Sequence, residues 1–371
     1  MDFNLSLPVK VISGRDCLIK NSEKLRAFGK TCLIVTGGKS AALSGALDDV
    51  KCALKNENIS FTVYDKIGPN PLLSLCFNGG KLAREIKADF IIGIGGGSPL
   101  DAAKAVAVYA SNEDFTAEDI YSQTERNKAL PLVLIGTTSG TGSEVGRVSV
   151  LTNDRTGRKK SISPDDCNPS LTFADPKYTY SMPYGITVST ALDALSHAVE
   201  GYLSPKCTDI PTLFGEKAIS LIWEGLKYLN KTKKLPTEEI REKLYYGSLY
   251  AGITLSYCGT AFPHPLGYVL TENYGTLHGT ACAAFMPELM IKAYENEYTK
   301  LCRILDIAGE TLESFIKTIK NLTDLSGIKM TEEEIKAYCD RWTEAIPNNF
   351  KFSPGGYTRE EAEKAFLKFV K

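Results

Sequence analysis

Short apolar runs alternate with amphipathic stretches over the first half of the chain. Six of these runs predict strands, at residues 31–36, 60–64, 89–94, 131–136, 148–152 and 171–174. Between the early runs, apolar residues recur at helical spacing and predict helices at residues 40–56 and 72–87. Strands separated by helices are typical of βαβ units, so a mostly parallel sheet is expected.

After Pro183 the spacing of apolar positions becomes helical, and no strand pattern appears. Helices are predicted at residues 187–203, 211–229, 237–255, 284–293, 298–307, 311–321, 331–344 and 358–370. Several begin at a threonine followed by an acidic residue within a turn, which is typical of a helix start. The pattern therefore predicts an α/β domain over residues 1–180 and an all-helical domain over residues 181–371, divided where Pro176, Pro183 and Gly185 interrupt the chain.

Composition and charge narrow the classes of function. The 43 basic and 44 acidic side chains of the 371 residues give a formal net charge of -1, which argues against a nucleic-acid partner or a membrane-surface helix. No apolar run approaches the roughly 18 residues of a membrane span, and the first residues do not resemble a signal peptide. The ten cysteines, Cys282 among them, form no C-x-x-C pair and are interpreted as small buried apolar residues in a reducing cytoplasm, with a disulfide framework as the alternative.

A glycine-rich loop follows the predicted strand at residues 89–94. Three consecutive glycines, residues 95–97, allow a close approach to a ligand, and Ser98 and Pro99 are interpreted as the cap and first position of a helix. Ser98 and Asp101 have the spacing of a capping box. The free N–H groups and the dipole at such a helix start suit a diphosphate, and a plain strand-to-helix turn is the alternative.

Two further loops follow predicted strands. Residues 136–144 combine glycines and hydroxyls that suit ribose or phosphate, with a simple surface loop as the alternative. After the strand at residues 31–36 come Gly37, Gly38, Lys39 and Ser40, without the carboxylate that often holds a ribose 2′-hydroxyl. Because Lys39 would tolerate a 2′-phosphate, NADP(H) is favoured over NAD(H), unless this lysine is only a solvated loop residue.

The three histidines of the chain lie between residues 197 and 278. Asp193 and His197 are separated by four positions on a predicted apolar helix, so they share one face, where a carboxylate is costly unless it is paired or bound to a cation. His264 and His278 are 14 residues apart, and His278 is expected at a loop or a helix start. Three imidazoles and one carboxylate suit Fe²⁺ or Zn²⁺, although each histidine alone fits an ordinary core or surface role.

These motifs together resemble the iron-containing (group III) alcohol dehydrogenase family, over most of the chain. Residues 95–104 resemble its G-G-G-S-x-x-D-x-A-K signature, and residues 137–145 resemble its T-T-x-G-T-G-S-E-V segment. Residues 193–200 match its D-A-L-x-H-A-x-E metal helix, and residues 69–71 fit its N-P turn.

The resemblance implies a dehydroquinate synthase-like fold with a nucleotide domain and a metal domain. It implies the metal ligands Asp193, His197, His264 and His278, holding Fe²⁺ with Zn²⁺ as the alternative. The residues expected at the cofactor, from the loops and the resemblance together, are Gly37, Gly38, Ser40, Asn70, Gly96, Gly97, Ser98, Asp101, Thr137, Thr138 and Lys160. The expected enzyme is a cytoplasmic homodimer that transfers hydride between NAD(P) and a small alcohol or aldehyde.

One position departs from the family pattern. An ungapped count back from His278 places His264 on the first histidine of the family's H-x-x-x-H pattern and leaves Tyr268 at the second. Tyr268 is therefore interpreted as a catalytic residue that donates or relays a proton. The alternatives to this assignment of function are a glycerol-dehydrogenase-like zinc polyol dehydrogenase and a non-catalytic protein that binds a nucleotide and a metal.

Overall fold

The computed structural model describes residues 6–122 and 125–370 of the chain. These residues divide into two compact units, Ser6–Met182 and a second unit that begins at Pro183. The division lies next to the boundary predicted between residues 180 and 181. Each unit has its own apolar core.

The first unit is built on a parallel sheet, as predicted. Its strands are β1 (Lys10–Ser13), β2 (Thr31–Val35), β3 (Ser60–Tyr64), β4 (Phe90–Gly95), β5 (Leu132–Gly136), β6 (Ser149–Thr152), β7 (Lys159–Ile162) and β8 (Leu171–Ala174). Six of them form the sheet in the order β1-β8-β5-β4-β2-β3, with all neighbours parallel, while β6 and β7 form a separate antiparallel pair. The sequence pattern missed β1 and β7, because both are short and largely polar or exposed.

The helices of this unit are α1 (Cys17–Lys20), α2 (Ser40–Leu43), α3 (Ala46–Asn56), α4 (Leu73–Glu85) and α5 (Gly97–Ser111). The predicted helix at residues 40–56 is thus divided in two. The interruption lies at Gly45, whose φ of 79° belongs to the left-handed region that glycine adopts without strain. Helix α5 is buried over most of its length between the sheet and its neighbours.

Strands β2 and β4 are neighbours in the sheet, although β3 lies between them in the chain. The chain leaves β2 towards one edge of the sheet and continues after β4 towards the other, which makes this pair a topological switch point. The Thr36 hydroxyl, just past β2, donates to the carbonyl of Ile94 in β4 at 2.9 Å. The loops that follow β2 and β4 therefore begin side by side at the edge where such folds bind ligands.

A buried lysine fastens the start of α5 to the loop after β5. The Lys104 ammonium is fully buried and donates to the Val148 carbonyl and to the Ser143 hydroxyl, both at 2.7 Å. Ser143 in turn donates to Asp101 at 2.6 Å, and the ammonium lies 3.6 Å from the same carboxylate oxygen. Burial lowers the pKa of Lys104, while the Asp101 charge acts in the opposite direction. The network holds two glycine-rich loops in register.

The second unit is helical, as predicted, and its described residues contain no strand. Its helices are α6 (Tyr184–Leu203), α7 (Asp209–Thr232), α8 (Glu238–Cys258), α9 (Pro263–Tyr274), α10 (His278–Ala283), α11 (Met286–Asn296), α12 (Tyr298–Ala308), α13 (Leu312–Leu322), α14 (Glu332–Cys339), α15 (Asn348–Lys351) and α16 (Arg359–Phe366). Across the described part of the chain, no helix is both long and apolar enough to cross a membrane.

The predicted threonine starts are confirmed at four helices. The side chain of the residue before the helix accepts a backbone N–H at each of Thr237, Thr311, Thr331 and Thr358. Helices α9 and α10 were not predicted, because the prolines and glycines of this segment resemble helix breaks. Pro263 and Pro265 lie in the first turn of α9. Backbone N–H groups in a first turn have no acceptor within the helix, so a proline there costs no helical hydrogen bond.

The Lys104 network gives a prediction about stability. Lys104→Ala removes the cation beside Asp101 and leaves a carboxylate in a buried site, which should cost about 3–5 kcal/mol of unfolding free energy. The measurement is hydrogen exchange of α5 peptides across a denaturant series. Lys55→Ala, at an exposed position on α3, is the control. Equal denaturant midpoints for the exchange of α5 peptides in the two variants would contradict the role assigned to Lys104.

Candidate active site

Four metal-binding side chains converge inside the helical unit. Asp193 and His197 lie one turn apart on α6, His264 lies in the first turn of α9, and His278 is the first residue of α10. The Asp193 Oδ1 atom lies 3.7 Å from His197 Nε2, 3.8 Å from His264 Nε2 and 3.7 Å from His278 Nε2. The structure therefore brings together the four residues that the sequence predicted as ligands.

The separations suit a shared divalent ion. Two donors about 2.1 Å from one ion, at a tetrahedral angle, lie about 3.4 Å apart. The observed 3.7–3.8 Å exceeds this by a few tenths of an ångström. The donor set of one carboxylate oxygen and three imidazole nitrogens is of the kind that Fe²⁺ and Zn²⁺ accept. Only His278 among the four is appreciably exposed, at 30% of its side chain.

Two glycines allow helices α6, α9 and α10 to pack in direct backbone contact. A Cβ atom added to Gly279 would lie 1.8 Å from the Ser189 carbonyl of α6, so the first turn of α10 rests directly on the α6 backbone. The Thr280 N–H also donates to the Ser189 hydroxyl, at 3.2 Å. A Cβ added to Gly267 would lie 2.8 Å from Cys282, which brings α9 equally close to α10. These contacts place His278 and His264 beside Asp193.

Glu200 orients one of the ligands. It lies on α6 seven residues after Asp193, is fully buried, and its Oε1 lies 2.8 Å from His264 Nδ1. Its other oxygen accepts the Ala261 N–H at 2.7 Å. Burial raises the pKa of Glu200, and the adjacent His264 acts in the opposite direction. A carboxylate that accepts Nδ1–H leaves the Nε2 lone pair directed at the ion.

The sequence analysis gave no role to Glu200, although it belongs to the quoted motif. Its spacing from Asp193 and His197 places all three on one helical face, and that signal was sufficient to find it. Cys282, one turn after His278 on α10, packs against that histidine. Its Sγ lies 3.6 Å from Nδ1 and 3.7 Å from Nε2 of His278.

Tyr268 lies beside one of the predicted ligands, His278. Its ring stacks on the His278 ring, with centroids 5.5 Å apart and planes inclined by 22°. The residue is half-buried on α9, one turn after His264. The contact through the ring fixes the side chain, and the hydroxyl lies at its far end.

The glycine loops of the α/β unit contact each other. A Cβ added to Gly96 would lie 3.0 Å from the Thr138 methyl group, and one added to Gly97 would lie 2.6 Å from that of Thr141. The Thr137 N–H donates to the Gly95 carbonyl at 2.8 Å. The loops after β4 and β5 thus form one surface at the start of α5, and free backbone N–H groups at such a helix start can bind an anion.

The predicted capping box at this helix is wrong. Helix α5 begins at Gly97 after Gly96, and no side chain caps it, so Ser98 lies within the first turn. The Ser98 hydroxyl instead accepts the N–H of Asn70 at 3.1 Å, and Asn70 has a left-handed φ of 56°. The Asp101 carboxylate accepts Ser143 and the Val150 N–H. Asp101 therefore supports the loop from behind, and Ser98 joins it to the segment around Asn70.

The loop after β2 passes close to the backbone of Ile67. A Cβ on Gly37 would lie 1.7 Å from the Ile67 carbonyl oxygen, so only glycine fits there. Gly38 has a left-handed φ of 55°, and Ser40 begins α2 next to the exposed Lys39. This loop lies beside that of β4, as the Thr36 bond requires.

Lys160 is placed differently from the other expected cofactor residues. It lies on β7, and its ammonium lies 4.5 Å from the centroid of the Tyr121 ring. The structure thus gives Lys160 a cation–π contact on the hairpin and does not assign it to the glycine loops. Its role at a cofactor stays a prediction.

Known proteins resemble this chain over most of its length. A solved iron-containing alcohol dehydrogenase from Thermotoga maritima is 33% identical, covers 99% of each chain and superimposes with a TM-score of 0.89. A sulfoacetaldehyde reductase from Bifidobacterium kashiwanohense, solved with NAD⁺, is 26% identical with a TM-score of 0.87, over 100% of this chain and 99% of its own. An NADPH-dependent butanol dehydrogenase from Clostridium saccharobutylicum is 30% identical over 88% of this chain and 84% of its own.

Two family models match nearly the whole chain. The model "Iron-containing alcohol dehydrogenase" matches residues 8–176, and "Fe-containing alcohol dehydrogenase family, C-terminal" matches residues 187–353. The second match contains all four predicted ligand residues, and the first contains all three glycine loops. With its fold and its converging side chains, the chain therefore belongs to the iron-containing alcohol dehydrogenase family.

Proposed function

We propose that the protein interconverts a small alcohol and its aldehyde by reversible hydride transfer with NAD(P), at a divalent metal held by Asp193, His197, His264 and His278. The observation that carries the proposal is the convergence of three imidazole nitrogens within 3.7–3.8 Å of one carboxylate oxygen. A bound Fe²⁺ or Zn²⁺ would supply Lewis acidity towards the substrate oxygen. The donor set supports either ion, and the family resemblance favours Fe²⁺.

Each group of side chains at the site has its own role in the proposed reaction. Three neutral imidazoles and one carboxylate leave a divalent site with a net charge of about +1, which favours negative charge on the substrate oxygen. Glu200 keeps His264 in the tautomer and orientation that binding requires. Tyr268 lies against His278 and offers a hydroxyl that can exchange a proton with the alcohol or with water.

The α/β unit supplies the cofactor site in this proposal. The start of α5, with Gly96 and Gly97, receives the diphosphate, and Thr137 and Thr138 face the same surface. Lys39, in the loop after β2, favours NADP(H) over NAD(H), because an ammonium there suits a 2′-phosphate. Relatives named for NADPH and solved with NAD⁺ both occur, so this preference rests on the loop itself.

The two alternative functions predict different activities. A glycerol-dehydrogenase-like zinc enzyme would prefer polyols, whereas a non-catalytic protein would bind nucleotide and metal without turnover. The complete ligand set and the intact glycine loops support an enzyme over a binder. A homodimer and a cytoplasmic location stay predictions.

Activity is the first test. With Fe²⁺ or Zn²⁺ added, the protein should consume NADPH faster than NADH with a panel of small aldehydes, and glycerol should be a poor substrate for oxidation. His278→Ala should lose both bound metal and turnover, since it removes one of four ligands. Wild-type activity and metal content in this variant would show that the proposed ligand set is wrong.

Glu200→Gln tests the orientation of His264. The amide keeps the size of the side chain but loses the carboxylate that accepts from Nδ1, so metal affinity should fall about 10–100-fold. The measurement is competition with a chelator, followed by metal analysis. Glu216→Gln, on α7 beside Arg303, is the matched control and should retain the ion. Equal retention by the two variants would refute an orienting role.

Tyr268→Phe separates the hydroxyl from the ring. The phenyl ring preserves the stacking on His278, so metal content should not change, whereas kcat should fall about 100-fold or more if the hydroxyl moves a proton. The pH dependence of kcat should change as well. An unaltered kcat and pH profile would mean that Tyr268 only packs against the ligand.

A further inference from the structure

The loop between α8 and α9 is buried and leads directly to the predicted ligand His264. It comprises residues 259–262, and Thr260, Ala261 and Phe262 have at most 8% of their surface exposed. A buried backbone cannot form hydrogen bonds with water, so the N–H and C=O groups of such a loop need partners within the protein. The direction of His264, two residues after Phe262, therefore depends on the partners that hold this loop.

Asn349 holds the beginning of the loop. It lies on the short helix α15, and its Nδ2 donates to the Thr260 hydroxyl at 2.5 Å and to the Thr260 carbonyl at 3.3 Å. A side-chain amide carries two N–H groups, so one residue can make both bonds. The ring of Phe352, from the same part of the chain, lies 3.2 Å from the position that a Cβ would take on Gly259. The first two residues of the loop thus rest on the segment around α15.

Ser353 holds the end of the loop. Its side chain is buried, and its Oγ accepts the Phe262 N–H at 3.0 Å while it donates to the Asn349 carbonyl at 2.8 Å. Because the hydroxyl proton is used towards Asn349, a lone pair is left for the Phe262 N–H. The Tyr357 ring stacks on the Phe262 ring, with centroids 3.8 Å apart and planes inclined by 5°. Residues 353–357 therefore fix both the backbone and the side chain of Phe262.

Glu200 contacts the same loop between these two attachments. One of its oxygens accepts the Ala261 N–H at 2.7 Å, and the other lies 2.8 Å from His264 Nδ1. A displacement of the loop would therefore move both the Ala261 N–H and the His264 ring relative to one carboxylate. The attachments on either side of Ala261 determine how the histidine meets Glu200.

We propose that Asn349 and Ser353 are positioning residues of the metal centre, which fix the loop at residues 259–262 and thereby the direction of His264 Nε2. The inference rests on the proposed metal site and deepens it. A histidine binds an ion through a lone pair, so groups that set the orientation of its ring affect metal affinity without touching the ion. The two residues come from a segment about 85–90 positions further along the chain, near its C-terminal end.

Asn349→Ala, studied with Co²⁺ as the bound ion, tests the proposal. Loss of the two bonds to Thr260 should weaken Co²⁺ binding about tenfold in competition with a chelator. The visible absorption of the bound Co²⁺ should also change, because it depends on the geometry of the ligands. Asn348→Ala is the matched control, since it alters the same residue type at the adjacent, exposed position, and it should behave as the wild type.

Two variants at Ser353 and one elsewhere separate positioning from stability. Ser353→Ala removes the acceptor of the Phe262 N–H and should act as Asn349→Ala does, whereas Ser353→Thr keeps a hydroxyl and should restore the wild-type spectrum. Thr331→Ala removes the cap of α14 in the same unit, so it should lower stability but leave Co²⁺ affinity and absorption unchanged.

Hydrogen exchange of the peptide that contains residues 259–262 supplies a readout without metal. In the metal-free protein this peptide should exchange about tenfold faster in Asn349→Ala than in Asn348→Ala. Wild-type affinity, absorption and exchange in Asn349→Ala would overturn the positioning role and leave the four-ligand site standing. A wild type that binds no Co²⁺ would instead overturn the proposed metal site itself. If Ser353→Ala does not fold, Asn349→Ala and its control decide the question.

Discussion

The Asp193 carboxylate lies in the middle of a helix that is buried along nearly its whole length, where an uncompensated negative charge would cost several kcal/mol. The helical unit is arranged around this charge. His197 comes from the same helix, while α9 and α10 each bring one imidazole to the same oxygen. Such a cluster of donors is costly without a cation, so the energetic requirement of α6 and the chemical requirement of a metal centre coincide.

Close backbone contact is the means by which both units build their sites. Gly279 and Gly267 leave no room for a side chain where α10 meets α6 and where α9 meets α10. Gly37 does the same where the loop after β2 passes the Ile67 carbonyl. In each case the absent Cβ lets one backbone rest on another, and the functional groups beside the glycine gain their positions from that contact. Substitution at these glycines would disturb the sites without touching a ligand.

Whether the sequence predicted a part of the structure depends on how far apart in the chain the interacting residues lie. Asp193 and His197 are local, since four residues of helix place them on one face, and the threonine caps are equally local. Helix α9 was not predicted, because prolines in the first turn of a helix resemble helix breaks. The cap assigned to Ser98 was wrong because Asn70, distant in sequence, takes the hydroxyl. The convergence of His264 and His278 on Asp193 depends on helix packing, which no spacing along the chain reveals.

The position of Tyr268 changes the electrostatics of the site. The family pattern usually has a histidine there, and an imidazole changes its charge near neutral pH. A tyrosine hydroxyl normally keeps its proton through that range and remains neutral, so it adds no positive charge beside His278. With a tyrosine at this position, proton transfer at the site depends less on pH near neutrality than it would with an imidazole.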